Sequence, residues 1–108
     1  MARTIITLPY YVSYNEVINN LELFLLKKGF KKIVTNNEEV WKKGTGMLTA
    51  MQFLKFQFTE NREVMISGWV QAGLGSVGFN EMDLSGTVAA IPKRSLLKTI
   101  DELKSCLH

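Results

Sequence analysis

The residue types that carry most enzyme chemistry are scarce in this sequence. There is one cysteine, Cys106, and one histidine, His108, two residues apart in the chain. A zinc site usually takes three or four Cys, His or carboxylate ligands. Two N/S donors fall short of that set, and a lone cysteine cannot form an intramolecular disulfide. The sequence therefore predicts no metal site, no cofactor and a reducing, cytoplasmic environment.

Two short motifs match functional patterns in their letters. Gly73–Gly78 has the spacing Gly-x-Gly-x-x-Gly, but a dinucleotide site needs that loop between a strand and a helix. No helical periodicity follows Gly78, so we interpret the segment as a connection between strands. Ser95-Leu96-Leu97-Lys98 matches Ser-x-x-Lys, but acyl-transfer enzymes with that motif also need Ser-Asp-Asn and Lys-Thr-Gly. Both are missing from this chain, so we predict no catalytic serine.

Paired carboxylates are the remaining candidates for acid–base chemistry, which needs one carboxyl in an apolar pocket with a raised pKa. Glu38 and Glu39 are adjacent on a predicted strand and must point to opposite faces. Glu81 and Asp83 could share a site, although we interpret them as part of a solvated turn. We therefore predict that the protein is not an enzyme.

Lysines are concentrated around two aromatic residues, Phe30 and Trp41. The candidate basic patch consists of Lys27, Lys28, Lys31, Lys32, Lys42 and Lys43. Basic side chains with interleaved aromatics are how single-stranded nucleic acid is bound, through phosphate contacts and base stacking. Glu38 and Glu39 weaken the positive field, and the net charge is only +3. Nucleic-acid binding is therefore an alternative hypothesis rather than the first one.

Large apolar side chains exceed what one face of a small sheet needs. They are Met51, Phe53, Phe56, Phe58, Met65, Trp69 and Phe79. Those that face away from the helices would form an exposed patch, which is typical of interfaces and ligand grooves. Our main hypothesis is a surface for another protein or for self-association. Its candidate contact residues are Phe53, Phe56, Phe58 and Trp69, with Lys42 and Lys43 at the rim. Binding of a small apolar ligand is a further alternative.

Local signals define the elements that must position these residues. Thr4–Leu8 is β-branched and predicts a strand. Ser13 and Glu16 form a capping box before a helical apolar stripe, and Gly29 follows two lysines that end that helix. Asn36-Asn37 predicts a tight hairpin between Lys32–Thr35 and Glu38–Lys42.

The second half of the chain alternates with a period of two before a final helix. Leu54, Phe56 and Phe58 share one face, and Val64, Ile66 and Gly68 share one face of the returning strand. A last strand is predicted over Leu84–Ile91, and a helix from Pro92 onward, with Lys93 on its outer face.

The order of elements predicts the fold class α+β. We expect an antiparallel sheet of about five to six strands with two helices on one face, in the order β-α-β-β-β-β-(β)-α. The 108 residues, 46% hydrophobic and 21% charged, match one ordinary globular domain spanning 1–108. Met1 to Leu8 carries one arginine and no apolar run of signal-peptide type.

Two stretches resemble a known family. They are Trp41-Lys42-Lys43-Gly44-Thr45-Gly46 with Phe53-Leu54-Lys55, and Gly86-Thr87-Val88-Ala89-Ala90-Ile91-Pro92-Lys93-Arg94. Together, over roughly residues 38–100, they resemble an uncharacterised family of small bacterial cytosolic domains. That family has no established activity, so the resemblance implies a bacterial cytosolic protein and no catalytic residues. The order of elements is also similar to one half of the TATA-binding-protein fold, in topology only.

Overall fold

An antiparallel sheet and two α-helices make up the protein, so the predicted α+β class is confirmed. The computed structural model describes residues 3–44, 51–71, 81–82, 84–85 and 90–108. Its elements are β1 (Thr4–Pro9), α1 (Tyr14–Lys27), β2 (Lys31–Thr35), β3 (Glu38–Lys43), β4 (Met51–Phe58), β5 (Glu63–Gln71), β6 (Glu81–Met82) and α2 (Ala90–Leu103), followed by a 3₁₀ turn (Lys104–Leu107). Within these residues, neither helix is both long and apolar enough to cross a membrane.

Helix α1 begins and ends where its capping residues dictate. The Ser13 hydroxyl accepts the backbone N–H of Glu16 at 3.2 Å, which satisfies one of the free donors of the first turn. At the other end, Gly29 has a φ of +92°. The N–H of Gly29 donates to the Leu26 carbonyl, and the N–H of Phe30 donates to the Leu25 carbonyl. These two bonds form a Schellman motif, which turns the chain directly into β2.

The hairpin of β2 and β3 forms as predicted. Asn36 and Asn37 have φ values of 49° and 63°, the left-handed geometry that a two-residue hairpin turn requires. Asparagine tolerates this region better than other residues with a Cβ. The turn makes Thr35 the register partner of Glu38 and, at the far end of the ladder, Lys31 the partner of Lys42.

The strand order in the sheet is β1-β5-β4-β3-β2, and the two-residue β6 pairs with the end of β5. Leu54 lies opposite Gly68, and Phe53 lies opposite Trp69. Because successive side chains alternate between faces, Leu54 and Gly68 belong to one face and Phe53 and Trp69 to the other. The sheet therefore has a helix-covered face and an opposite face, which we call the far face.

Both helices contribute to one hydrophobic core on the helix-covered face. Its members include Val17, Leu21 and Leu25 of α1, Leu96, Ile100 and Leu103 of α2, and Leu54, Val64, Ile66 and Val70 of the sheet. The sheet is closely approached at Gly68, where a Cβ would lie 3.2 Å from Leu84 Cδ1 and 3.3 Å from Ile100 Cδ1.

The predicted boundary between the last strand and the second helix is wrong. Helix α2 begins at Ala90, so Ala90 and Ile91 are helical, while residues 86–89 of the predicted strand lie outside the described residues. Pro92 is tolerated because it falls in the first turn, where backbone N–H groups have no helical acceptor.

The prediction that Lys93 lies on the outer face of α2 is also wrong. The residue is only 5% exposed, and its Nζ donates to the Ser85 carbonyl at 2.6 Å. The reason is helical spacing, since Lys93 precedes Leu96 by three residues and Ile100 by seven. All three therefore lie on the buried stripe of α2.

Candidate functional site

The structure does not bring the four aromatic candidates into one patch. Phe56 and Phe58 lie on the helix-covered face, half-buried against the main core. Phe53 and Trp69 lie on the far face, in a second cluster with Val40. The alternation along β4 separates them, because Phe53 and Phe56 are three residues apart and so point to opposite sides.

Phe53 and Trp69 form the aromatic floor of the far face. Their rings are stacked with centroids 5.3 Å apart and an angle of 3° between planes. The Arg3 guanidinium carbon lies 3.7 Å from the centroid of the Trp69 ring. Phe53 is 5% and Trp69 2% exposed, so both rings are covered rather than open to solvent. The floor is closely packed, and it does not form the exposed aromatic patch that we had expected.

An ion cluster lies beside this floor. Arg3 donates to both carboxylate oxygens of Glu38, at 3.0 and 2.9 Å, and Lys55 Nζ donates to Glu38 Oε1 at 2.8 Å. Hydrogen bonds from Arg3 and then from Lys55 lower the pKa of Glu38 to about 2. Glu38 is therefore ionised at neutral pH, and its charge is balanced by two cationic partners.

The six candidate lysines are distributed over different surfaces. Lys28 pairs with Glu102 at 3.1 Å, and Lys32 pairs with Glu22 at 3.4 Å and Glu39 at 3.2 Å. Hydrogen bonding to Glu39 is the main cause of the raised pKa of Lys32. The other four lysines form no ion pair with an acidic residue within the described part of the chain. Lys27 is an exposed residue at the end of α1, Lys43 extends over the Phe30 ring on the helix side, and Lys31 and Lys42 share the far face.

Lys31 and Lys42 are direct cross-strand neighbours on the far face. Like charges directly opposite each other destabilise a sheet, because their side chains are only about 5 Å apart at the Cβ atoms. Neither lysine forms a salt bridge with any acidic residue in the described ranges. This pair is therefore a locally uncompensated positive charge, which an anion from outside the chain would stabilise.

The two lysines line a trough on the far face. One depression of about 250 Å³ is bounded by Arg3, Lys42, Phe53, Trp69 and Gln71, among others. A second, of about 400 Å³, is lined by Gly29, Lys31, Ile33, Lys42 and Gly44. Ile33 and Lys42 line both depressions, so the two adjoin. We call them together the far-face trough.

A smaller cleft lies between α1 and the sheet. It holds about 100 Å³ and is lined by Ile18, Leu21, Trp41, Phe56 and Phe58, with Lys32, Glu22 and Glu39 around them. For comparison, an engineered apolar cavity of about 150 Å³ binds a single benzene molecule. This cleft is too small for a lipid chain and gives no support to the alternative of a bound apolar ligand.

Groups with the chemistry of catalysis are not assembled in the described residues. Ser95 and Lys98 are exposed on α2, and Ser95 lies in the interior of the helix rather than at its start. Cys106 is buried, and burial raises the pKa of its thiol, which disfavours the nucleophilic thiolate form. No group of three metal-ligating side chains occurs among the residues described. The Gly73–Gly78 motif, Asp83 and the Glu81 side chain lie outside them.

Sequence reasoning missed Arg3, Glu38 and Lys55 as parts of the far face. Arg3 precedes Thr4, whose register partner is Gly68, so Arg3 lies beside Trp69. That neighbourhood depends on the pairing of strands more than fifty residues apart along the chain. The β-branched residues of Thr4–Leu8 predicted a strand there, but that local signal does not identify the partner strand.

Comparison of the chain with protein-family models, with curated proteins and with solved structures found no match. The resemblance to a family of small bacterial domains, and the likeness to half of the TATA-binding-protein fold, therefore stay predictions. A hypothesis about function has to start from the trough and its charges.

Proposed function

We propose that this chain is a non-enzymatic binding domain that docks an acidic segment of a partner protein in the far-face trough. The observation that carries the proposal is the Lys31–Lys42 pair, two facing cations without an acidic partner among the described residues. Beside them, the partly buried Ile33 and Met51 line the same trough and pack against the Phe53–Trp69 cluster, so they supply its apolar surface. An apolar centre with a charged rim is the usual composition of a protein–protein interface.

An acidic protein segment fits this surface better than single-stranded nucleic acid does. Nucleic-acid platforms offer open ring faces for base stacking. Here Phe53 and Arg3 both pack against the Trp69 ring, which is 2% exposed. Two of the six candidate lysines, Lys28 and Lys32, are already paired with glutamates. Nucleic-acid binding therefore stays the second hypothesis, supported by the positive charge of the trough alone.

A partner of opposite charge also fits better than a second copy of the chain. If two copies met through their far faces about a two-fold axis, each would bring its own Lys31 and Lys42 to the interface. Four cations would then meet, with a cost that increases at low salt. The proposed partner is thus a different protein, in the bacterial cytoplasm if the family resemblance holds.

The test is a titration of the protein with a defined acidic probe, poly-L-glutamate. Calorimetry measures the binding at two salt concentrations. We expect binding to weaken by about tenfold or more in the double variant Lys31→Glu/Lys42→Glu. The matched control Lys27→Glu/Lys98→Glu makes the same change of net charge on other exposed surfaces and should bind as the unmodified protein does.

Three results would contradict the proposal. Equal weakening by the control variant would mean that only the net charge matters. Tighter binding of an oligo(dT) of equal charge, with the same dependence on Lys31 and Lys42, would favour nucleic acid. Concentration-dependent mass in sedimentation, abolished by Lys31→Glu/Lys42→Glu, would instead favour self-association.

A further inference from the structure

The outer edge of β2 carries hydrogen-bonding groups for another strand. Strand β2 is the last in the sheet order, so among the described strands it has a neighbour on one side only. The two-residue turn makes Thr35 and Glu38 a hydrogen-bonded pair, and such pairs alternate along an antiparallel ladder. Ile33 and Lys31 therefore also bond to β3. By the same alternation, the N–H and C=O groups of Lys32 and Val34 point outward.

We propose that the partner segment is extended and adds to the sheet as a further strand beside β2. This inference rests on the proposed function, since it states how the acidic segment is held at the far-face trough. Addition of a strand to an open edge is a common mode of peptide recognition, in which main-chain hydrogen bonds give affinity and alternate side chains give specificity. The edge is accessible, because Lys31 is exposed and Val34 is 73% exposed.

The charges of β2 define which side chains the added strand would carry. The backbone of the added strand would lie about 4.8 Å from that of β2, beside Lys31. It would lie about 10 Å from the Lys42 backbone in β3, which is two strand spacings away. A glutamate and a lysine side chain together span that distance. On the other face, Lys32 is already bound by Glu22 and Glu39, and its neighbour Val34 is apolar. The segment should therefore alternate acidic and apolar residues.

A second copy of β2 does not have this pattern. Its sequence, Lys-Lys-Ile-Val-Thr, would add two more lysines to an edge that already has two. Lysines on edge strands are a common device against pairing between identical chains. An acidic partner removes the repulsion, which is why the edge selects a partner of different sequence.

The experiment compares Val34→Pro with Val34→Ala, using an alternating glutamate–valine peptide as the probe. Proline removes the outward N–H of residue 34 without removing a β2–β3 hydrogen bond, whereas alanine keeps that N–H. We expect Val34→Pro to weaken binding roughly three- to tenfold relative to Val34→Ala, which corresponds to the loss of one main-chain hydrogen bond. Near-UV circular dichroism checks that both variants keep the native packing.

A second arm changes the peptide and leaves the protein intact, so that a folding defect in Val34→Pro does not decide the outcome. N-methylation of every second peptide residue blocks the donors on one edge of the strand. Two such peptides are possible, one methylated at the odd and one at the even positions. We expect the peptide whose blocked donors face β2 to lose binding, and the peptide whose blocked donors face away from β2 to keep it. If both registers bind equally while Lys31→Glu/Lys42→Glu still abolishes binding, the trough hypothesis stands and strand addition is wrong. If the lysine variant has no effect on this peptide or on poly-L-glutamate, the proposed function itself fails.

Discussion

Arg3 and Glu38, 35 residues apart in the chain, form a two-point ion pair across the far face. Arg3 immediately precedes β1 and Glu38 begins β3, strands that are separated in the sheet by β5 and β4. The guanidinium reaches Glu38 by passing over Trp69 of β5. One side chain therefore links the two halves of the sheet and covers the aromatic floor between them.

The first prediction concerns the pH dependence of stability. The pKa of Glu38 is lowered from 4.5 to about 2 in the folded protein. Its stabilising effect is thus fully present above pH 4.5 and is lost as the pH falls towards 2, because the unfolded chain binds the proton more tightly. We expect the free energy of unfolding to fall by about 1–2 kcal/mol over that window, less than the full linkage value because solvent screens the cluster.

Urea denaturation at a series of pH values, for the protein and for Glu38→Gln, measures this effect. The variant should be less stable at neutral pH and should lose the part of the acid dependence that Glu38 causes. Glu60→Gln, in an exposed turn, is the matched control and should follow the unmodified protein. Parallel pH profiles for the protein and Glu38→Gln would show that the ion pair contributes no stability.

The second prediction concerns the close packing at Gly68. A Cβ there meets Leu84 and Ile100 at 3.2 and 3.3 Å, within the range where neighbours must shift slightly. In Gly68→Ala this contact opposes the reduced entropy of the unfolded chain, so stability should stay within about 0.5 kcal/mol. In Gly68→Val the added methyl groups overpack the core, and the free energy of unfolding should fall by about 1–3 kcal/mol. Thermal unfolding of the two variants tests whether the loss of stability increases with the size of the side chain. A Gly68→Val variant as stable as Gly68→Ala would contradict this prediction.

The third prediction concerns the end of α1. Gly29 has a φ of +92°, and the nearest atom to an added Cβ is Lys43 Cε at an ordinary 3.7 Å. The cost of Gly29→Ala is therefore one of backbone conformation and not of collision, and should be about 1 kcal/mol. Gly29→Asn, whose side chain tolerates the left-handed region, should lose less. Equal stabilities of the two variants in urea denaturation would mean that the Schellman turn is not under this constraint.

Features that depend on neighbours in the chain could be predicted from the sequence. The cap at Ser13, the glycine after α1 and the Asn36-Asn37 turn each result from a few adjacent residues, and all three are found in the structure. The alternation of β4 and β5 was equally local, because the pleat assigns every second side chain to one face.

Only the tertiary structure decided which of those faces is covered and by what. The separation of Phe53 from Phe56 followed from alternation, but the coverage of Phe53 and Trp69 and the Arg3–Glu38 pair did not. Each of these depends on the register between segments far apart in the chain, which no short stretch of residues encodes. Long-range pairing is selected by the packing energy of the whole core, and for that reason the trough and its facing lysines became visible only in the folded molecule.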